Sequence, residues 1–385
     1  MKKLIRTMMN LIGNEICGEK IDAALFADFT ETDAVRLYRL SNYHDLAHVV
    51  GDALIKNNLI NEGEAKERFG KEVFKAVYRY EKMRFEHGEI RRVLEENKIP
   101  FVPLKGAVLR SYYPEEWMRT SCDIDVLVKE EDLERAITAI TGALGYSLGD
   151  KNYHDVSLMS GSGVHLELHF SIKEHIDKLD AVLCRAWEYA SPVKDGGYEH
   201  AFTKEFFIFH QYAHAAYHFL SGGCGVKPVI DIFVMKNDPR DEEKLNAMLS
   251  EAGIAVFADK LNALASAWFG GGEYESVTEE MEKYVISGGV YGNAVNHTAA
   301  SRAKKKSKAG HIASRIWLPY RDLVIQYPSL KGKRILQPFY EIRRWFRLFK
   351  RSTLKRSVNE LKINREMSED KVSAAGDMLK ELGLL

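Results

Sequence analysis

CDIDVLV, residues 122–128, and VHLELHF, residues 164–170, each alternate polar and apolar side chains. If the first is a strand, Asp123 and Asp125 leave one face while Ile124, Val126 and Val128 leave the other. Two carboxylates about 5 Å apart repel by on the order of 3 kcal/mol at an effective dielectric of about 20. A hard divalent cation reverses that sign. The second stretch repeats the pattern, with His165, Glu167 and His169 opposite Val164, Leu166, Leu168 and Phe170. Two strands are thus expected to offer three carboxylates, Asp123, Asp125 and Glu167, from alternating positions.

Working outward, FVPLKG at 101–106 is a short apolar run closed by glycine, and Gly161-Ser162-Gly163 reads as a turn before the last strand. Between the two acid-bearing strands, EEDLERAITAITGALGY at 130–146 reads as an amphipathic helix led by acids and followed by Gly145, which suits a crossover. The flanks are helical in pattern. TETDAVRLYRLSNYHDLAHVV begins at Thr30 or Thr32 as a cap, and the charged helix that follows should end at Ile99-Pro100. EFFIFHQYAHAAYHFLSG, VKPVIDIFVMK and KLNAMLSEAGIAVFADKLNALASAWFG continue the helical patterning after the core. The expected fold is α+β: a small mixed sheet in a core at 98–172, flanked by an N-terminal helical region at 1–97, a helical domain at 173–299 and a basic, mainly helical C-terminal region at 300–385.

A chain of 385 residues fits two or three compact units. Hydrophobic content of 45% with 29% charged residues is that of an ordinary globular protein. Lys plus Arg and Asp plus Glu balance at 55 each, so any pull toward nucleic acid or membrane is local. Four scattered cysteines, with no CxxC pair, suggest neither a zinc knuckle nor a disulfide framework, and suit a reducing cytoplasm. MKKLIRTMMNLIG reads as an amphipathic helix rather than a signal peptide, because Arg6 and Asn10 interrupt its apolar run. No transmembrane segment is expected, and the expected location is cytoplasmic.

A strand and turn with KG, then DID, then a single acid on a later strand resembles the nucleotidyltransferase superfamily that includes DNA polymerase beta, CCA-adding enzymes and aminoglycoside nucleotidyltransferases. More narrowly, IPFVPLKGAVLRSYYPEEWMRTSCDIDVLV, then HLELHF, HAAYHF and VIDI, resembles the uncharacterised bacterial nucleotidyltransferase family with an LKG, DxD and hElH pattern. The resemblance implies that 98–172 is the catalytic core. It implies that Asp123 and Asp125 bind two Mg²⁺ ions, and that Glu167 is the third carboxylate, holding the second ion and helping to deprotonate the attacking hydroxyl. It implies transfer of an NMP group from an NTP to an acceptor hydroxyl, with pyrophosphate leaving. Many superfamily members carry Gly-Ser where this chain has Gly106-Ala107. Lys105 is expected to supply the phosphate contact instead, and Gly106 to permit close approach. Arg119 is expected either to contact phosphate or to hold the loop by pairing with Asp123. Glu115, Glu116 and Asp155 are alternatives to Glu167. A catalytically inactive binding or regulatory module is the alternative function, motivated by the absent serine.

Three further features remain open in the sequence. His210, His214 and His218 occupy successive turns of one helix. HxxxH can bind zinc, but a hydrogen-bonded stripe or a wall of the nucleotide or acceptor pocket is the expected role. Asp231 is expected to partner that stripe or to line the cleft. The basic segment 302–356, with Trp317, Trp345, Phe346 and Phe349, reads as an amphipathic docking helix before it reads as a site for nucleic acid or anionic lipid. The neutral overall charge points to a small-molecule or protein acceptor, and the basic segment keeps RNA in view.

Overall fold

The computed structural model describes residues 2–290, 292–305, 317–348, 363 and 365–385. Four helices precede the sheet: α1 (Lys2–Cys17), α2 (Glu31–Tyr43), α3 (Ala47–Lys56) and α4 (Glu64–Glu96). Of the two candidate caps, Thr30 starts α2: its hydroxyl accepts from Asp33 N and the Asp33 carboxylate accepts from Thr30 N. That reciprocal pair satisfies donors the first turn would otherwise leave open. After α4 the chain turns through Lys98, at φ +56°, into Pro100.

The sheet has strands β1 (Phe101–Pro103), β2 (Asp123–Val128), β3 (Ser147–Lys151), β4 (Asp155–Met159) and β5 (His165–His169), in spatial order β1-β2-β5-β4-β3. β2 and β5 are parallel and the other pairs antiparallel, so the sheet is mixed as expected. Between β1 and β2 lies the single turn α5 (Gly106–Leu109), and between β2 and β3 the crossover helix α6 (Leu133–Leu144). Gly145 caps α6 at φ +67°, a conformation that a β-carbon disfavours.

Ile124, Val126, Val128, Val156, Leu158, Leu166 and Leu168 face α4 and α6 and pack against Ile90, Val93, Leu94, Ala136 and Ile140. Burying each such side chain contributes about 1.5–3 kcal/mol. A one-residue slip would turn this set outward, so the burial fixes the register and leaves the acids on the opposite face.

That opposite face meets a larger core. It joins α1 and α3 to Val102, Leu104, Leu127 and Ile172, and to α7 (Asp177–Leu183), α8 (Lys204–Leu220), α9 (Lys227–Val234), α10 (Glu242–Glu251) and α11 (Ala255–Phe269). VKPVIDIFVMK is therefore mostly a buried helix, with Pro228 in its first turn where the missing N–H costs nothing. Two more helices follow, α12 (Ser276–Gly288) and α13 (Ala294–Lys305). The C-terminal helix Glu369–Glu381, capped by Ser368, packs on α13. Helix Gln337–Leu348 carries Trp345 and Phe346, while Phe349, much of the AKKKSK stretch and the residues from 349 to 362 lie outside the described residues. Among the described residues no helix is long and apolar enough to cross a membrane.

Candidate active site

Parallel pairing of β2 with β5 sets Asp125 opposite Glu167 and Asp123 opposite His165. β4 adds Ser157 opposite Glu167 and Asp155 opposite His169. The possible ligand atoms of Asp125, Glu167 and His169 all lie within 4.8 Å of one another, and so do those of Asp123, His165 and Glu167. Glu167 belongs to both groups, so the three predicted carboxylates form one cluster. His169 Nε2 is 2.9 Å from Asp125 Oδ1 and 3.5 Å from Glu167 Oε2. His165 Nε2 lies 2.6 Å from Ser157 Oγ. Of the alternative acids, Glu116 accepts from Tyr80 at the surface, and the Asp155 carboxylate is engaged by His154 and Asn152.

The crowding shows in the proton affinities. Burial, then the charges of Asp125 and Glu167, push Asp123 up to about 6. Burial works the same way on Asp125, but Lys105 and the hydrogen bond with His169 outweigh it and hold that carboxyl well below its ordinary range. Burial opposes charge on His169, yet Asp125 and Glu167 raise it to about 9. At neutral pH a protonated histidine and a lysine thus partly balance a cluster of carboxylates, and Asp123 carries both the cost of burial and the uncompensated negative charge beside it.

Lys105 stands at the entrance of α5 with φ +36°, a conformation that costs a side-chain-bearing residue about 1–3 kcal/mol. Burial disfavours its charge, but Asp125, Glu174, Asp123 and Glu167 together raise its pKa above the ordinary lysine value. A β-carbon on Gly106 would stand 3.3 Å from both Cβ and Oγ of Ser121. Ser121 therefore brings a hydroxyl beside Gly106. That hydroxyl accepts from Arg110 and donates to the Asp123 carbonyl. Nothing in the TSCDID run marked Ser121 in advance, because its approach to Gly106 depends on how the loop folds.

Arg119 pairs with Asp231 of α9 rather than with Asp123. Its Nε and one terminal nitrogen donate to the two Asp231 oxygens at 2.8 and 2.9 Å, and its other nitrogen donates to the Thr120 carbonyl. Tyr113 also donates to Asp231, at 2.6 Å. Asp231 thus lines the cleft, one of its two expected places, as the anchor of the loop leading into β2 rather than as the partner of the histidine stripe. Beside it, buried Lys227 donates to Asp45 and to Thr120, so a second cation, not singled out in the sequence, borders the cleft. Asp231→Ala should cost about 3–5 kcal/mol, because it strands a buried guanidinium. The Arg119→Met, Asp231→Leu double variant should cost less. Urea unfolding followed by circular dichroism compares them, and equal losses would count against a buried ion pair as the anchor.

Helix α8 supplies the remaining wall. His214 Nδ1 lies 3.1 Å from Glu174 Oε1, and His214 Nε2 lies 3.0 Å from His218 Nε2. His210 is buried one turn earlier. The stripe therefore does face the cleft, and its acid is Glu174, forty positions before His214 and invisible to a local motif. Burial raises the pKa of Glu174, while Lys105 draws it back.

Lys105, Gly106, Arg119, Asp123, Asp125 and Glu167 all line one cleft of about 380 Å³, together with Glu174, His210, His214, His218 and Lys227. No curated protein and no solved structure matches the chain. Residues 30–270, which contain the whole sheet and every cleft residue just named, match the family model for an uncharacterised nucleotidyltransferase. With more than half of its 385 residues so matched, the chain belongs to the uncharacterised nucleotidyltransferase family.

Proposed function

We propose that the protein transfers a nucleoside monophosphate group from an NTP to an acceptor hydroxyl, with a divalent ion required and pyrophosphate released. The observation that carries this reading is the cluster of Asp123, Asp125 and Glu167 on adjoining parallel strands, where burial and then the neighbouring carboxylates push Asp123 up to about 6. The donor set fits a hard cation: carboxylate oxygens converge, and the local charge lacks a cation. Asp123, Asp125 and Glu167 would hold Mg²⁺, two ions by the family resemblance. When bound, such ions neutralise phosphate charge and make a hydroxyl easier to deprotonate.

The chain's own groups account for the rest. Lys105, held charged inside the cleft, meets the NTP phosphates, and Gly106 gives the backbone close approach. The Arg119–Asp231 pair holds the loop that carries Ser121 toward β2. A carboxylate oxygen of Glu167 takes the proton of the acceptor hydroxyl. The acceptor oxygen bonds to the α-phosphorus as the bond from that phosphorus to the pyrophosphate oxygen breaks. The proton then passes to solvent.

Isothermal titration with ATP, GTP, CTP and UTP in the presence of Mg²⁺ should find at least one nucleotide that binds the wild type and binds the Asp123→Ala, Asp125→Ala double variant at least about tenfold more weakly. Equal binding by both proteins for every nucleotide would sink the proposal. Ala107 favours the second reading, an inactive binding module. That module would bind NTP without metal-dependent transfer of label to any acceptor in a lysate.

A further inference from the structure

Glu174, His214 and His218 form a chain of two hydrogen bonds along the α8 wall of the cleft. Hydrogen-bond chemistry fixes its direction. With Glu174 ionised, as Lys105 favours, its carboxylate only accepts, so His214 carries its proton on Nδ1, facing Glu174. His214 Nε2 is then a lone pair and must accept. Its partner, His218 Nε2, must donate. A neutral imidazole has one N–H, so His218 Nδ1 is left as a bare lone pair. Burial, with Lys105 nearby, holds His214 well below its ordinary value and His218 down at about 4, so both rings are neutral at pH 7.

We propose that this chain is the acceptor subsite: Glu174, through His214, fixes an unprotonated Nδ1 on His218 that receives the hydrogen bond of a second hydroxyl of the acceptor, beside the one whose proton Glu167 takes. The proposal rests on the transferase reading and deepens it. His218 is the group that touches the acceptor, and Glu174 and His214 are positioning residues. The chemistry selects the class of acceptor. A lone pair backed by a carboxylate takes O–H donors and tolerates positive charge, whereas it repels a phosphate or carboxylate beside the reacting hydroxyl. Tyr217, whose ring lies 5.3 Å from that of His218, and Tyr153 add aromatic faces to the same cleft. Such faces pack against the C–H surface of a polyol. The acceptor is thus an uncharged or cationic alcohol of the sugar or amino-alcohol kind.

The first test reads the tautomers of the two rings directly. Two-bond ¹H–¹⁵N spectra of the imidazoles at pH 7, assigned with His214→Gln and His218→Gln, should show His214 protonated on Nδ1 and His218 on Nε2. Either ring in the opposite tautomer, or doubly protonated, overturns the proposal. Glu174→Ala should release the two rings into mixed tautomers, and persistence of one fixed pair would equally overturn it. The second test uses glycerol as acceptor probe, with Mg²⁺ and the NTP that binds best. His218→Phe should leave NTP affinity unchanged and raise the KM for glycerol by about tenfold, the contribution of one hydrogen bond. Unchanged KM for glycerol with normal NTP binding removes the subsite alone. Failure of the wild type to bind any NTP removes the transferase reading itself.

Discussion

Asp125→Asn should lower pyrophosphate release from the preferred NTP by about a thousandfold or more, equivalent to about 4 kcal/mol of transition-state stabilisation. The substitution keeps shape and removes charge. An asparagine Oδ1 can still accept from His169 Nε2, which stands 2.9 Å from the native oxygen, so the fold around the site should survive. What is lost is the anion at the centre of the cluster. Two linked changes follow. His169, raised to about 9 largely through Asp125 and Glu167, should titrate lower. Asp123, held up to about 6 by burial and by its neighbours, should ionise more easily. Mn²⁺ titration calorimetry should show weaker binding by the variant. In the wild type, binding at pH 7 should release protons from His169, seen as a dependence of the heat on buffer ionisation enthalpy. Glu116→Gln, whose carboxylate faces Tyr80 outside the cleft, serves as the control and should stay within about threefold of the wild type. Retention by Asp125→Asn of more than a tenth of the wild-type rate would remove Asp125 from the proposed catalytic role.

The strands that carry this cluster were legible because each has one face sealed in a core. The alternation in CDIDVLV and HLELHF is the trace of Val126 and Leu166 packing on α4 and α6 while Asp125 and Glu167 face the cleft. The parallel register that sets Asp125 against Glu167 was not legible, since the intervening α6 and the β3–β4 hairpin determine it. β3 itself escaped notice: all five residues of SLGDK are exposed, so burial leaves no pattern in them. The histidine stripe could be read from its four-residue spacing, but not its connection to Glu174, which comes from the segment after β5. Arg119 shows the same limit more sharply. Nearness in sequence suggested Asp123 as its partner, and folding delivers Asp231 from 112 positions away. Local chemistry is written in period and composition, whereas pairing between distant elements is settled by packing.

Acidification should unfold the protein cooperatively between about pH 6 and pH 4, because six histidines, three buried and three half-buried, are held in forms that resist protonation. Burial lowers His44, His48, His87 and His218 to about 4 and His210 to about 3, and holds His214 well below its ordinary value. In the unfolded chain these rings take up protons from pH 6.5 downward, and in the folded chain they do not. Their contribution is therefore fully present above pH 6.5 and is lost as pH falls toward the folded-state values. A drop from 6.5 to about 4 costs about 3 kcal/mol per ring once the unfolded form is fully protonated. Several such rings outweigh a typical total stability of about 5–15 kcal/mol. The raised pKa values of Glu15, Glu19, Asp123 and Glu174, and of His169, act in the opposite direction, but the six lowered imidazoles outnumber these five groups. Tryptophan fluorescence and circular dichroism from pH 8 to 3 would locate the transition, and a cooperatively folded protein at pH 4 would contradict the argument. His44 gives the sharper check. Burial outweighs the backbone hydrogen bond at Ile286 in setting its proton affinity, and its ring packs edge-on against Tyr43 at 5.3 Å. Phenylalanine should fill the same space without the proton-linked penalty, so His44→Phe should move the acid midpoint to lower pH. A midpoint unchanged or moved upward would show that this ring is not among those that set acid stability.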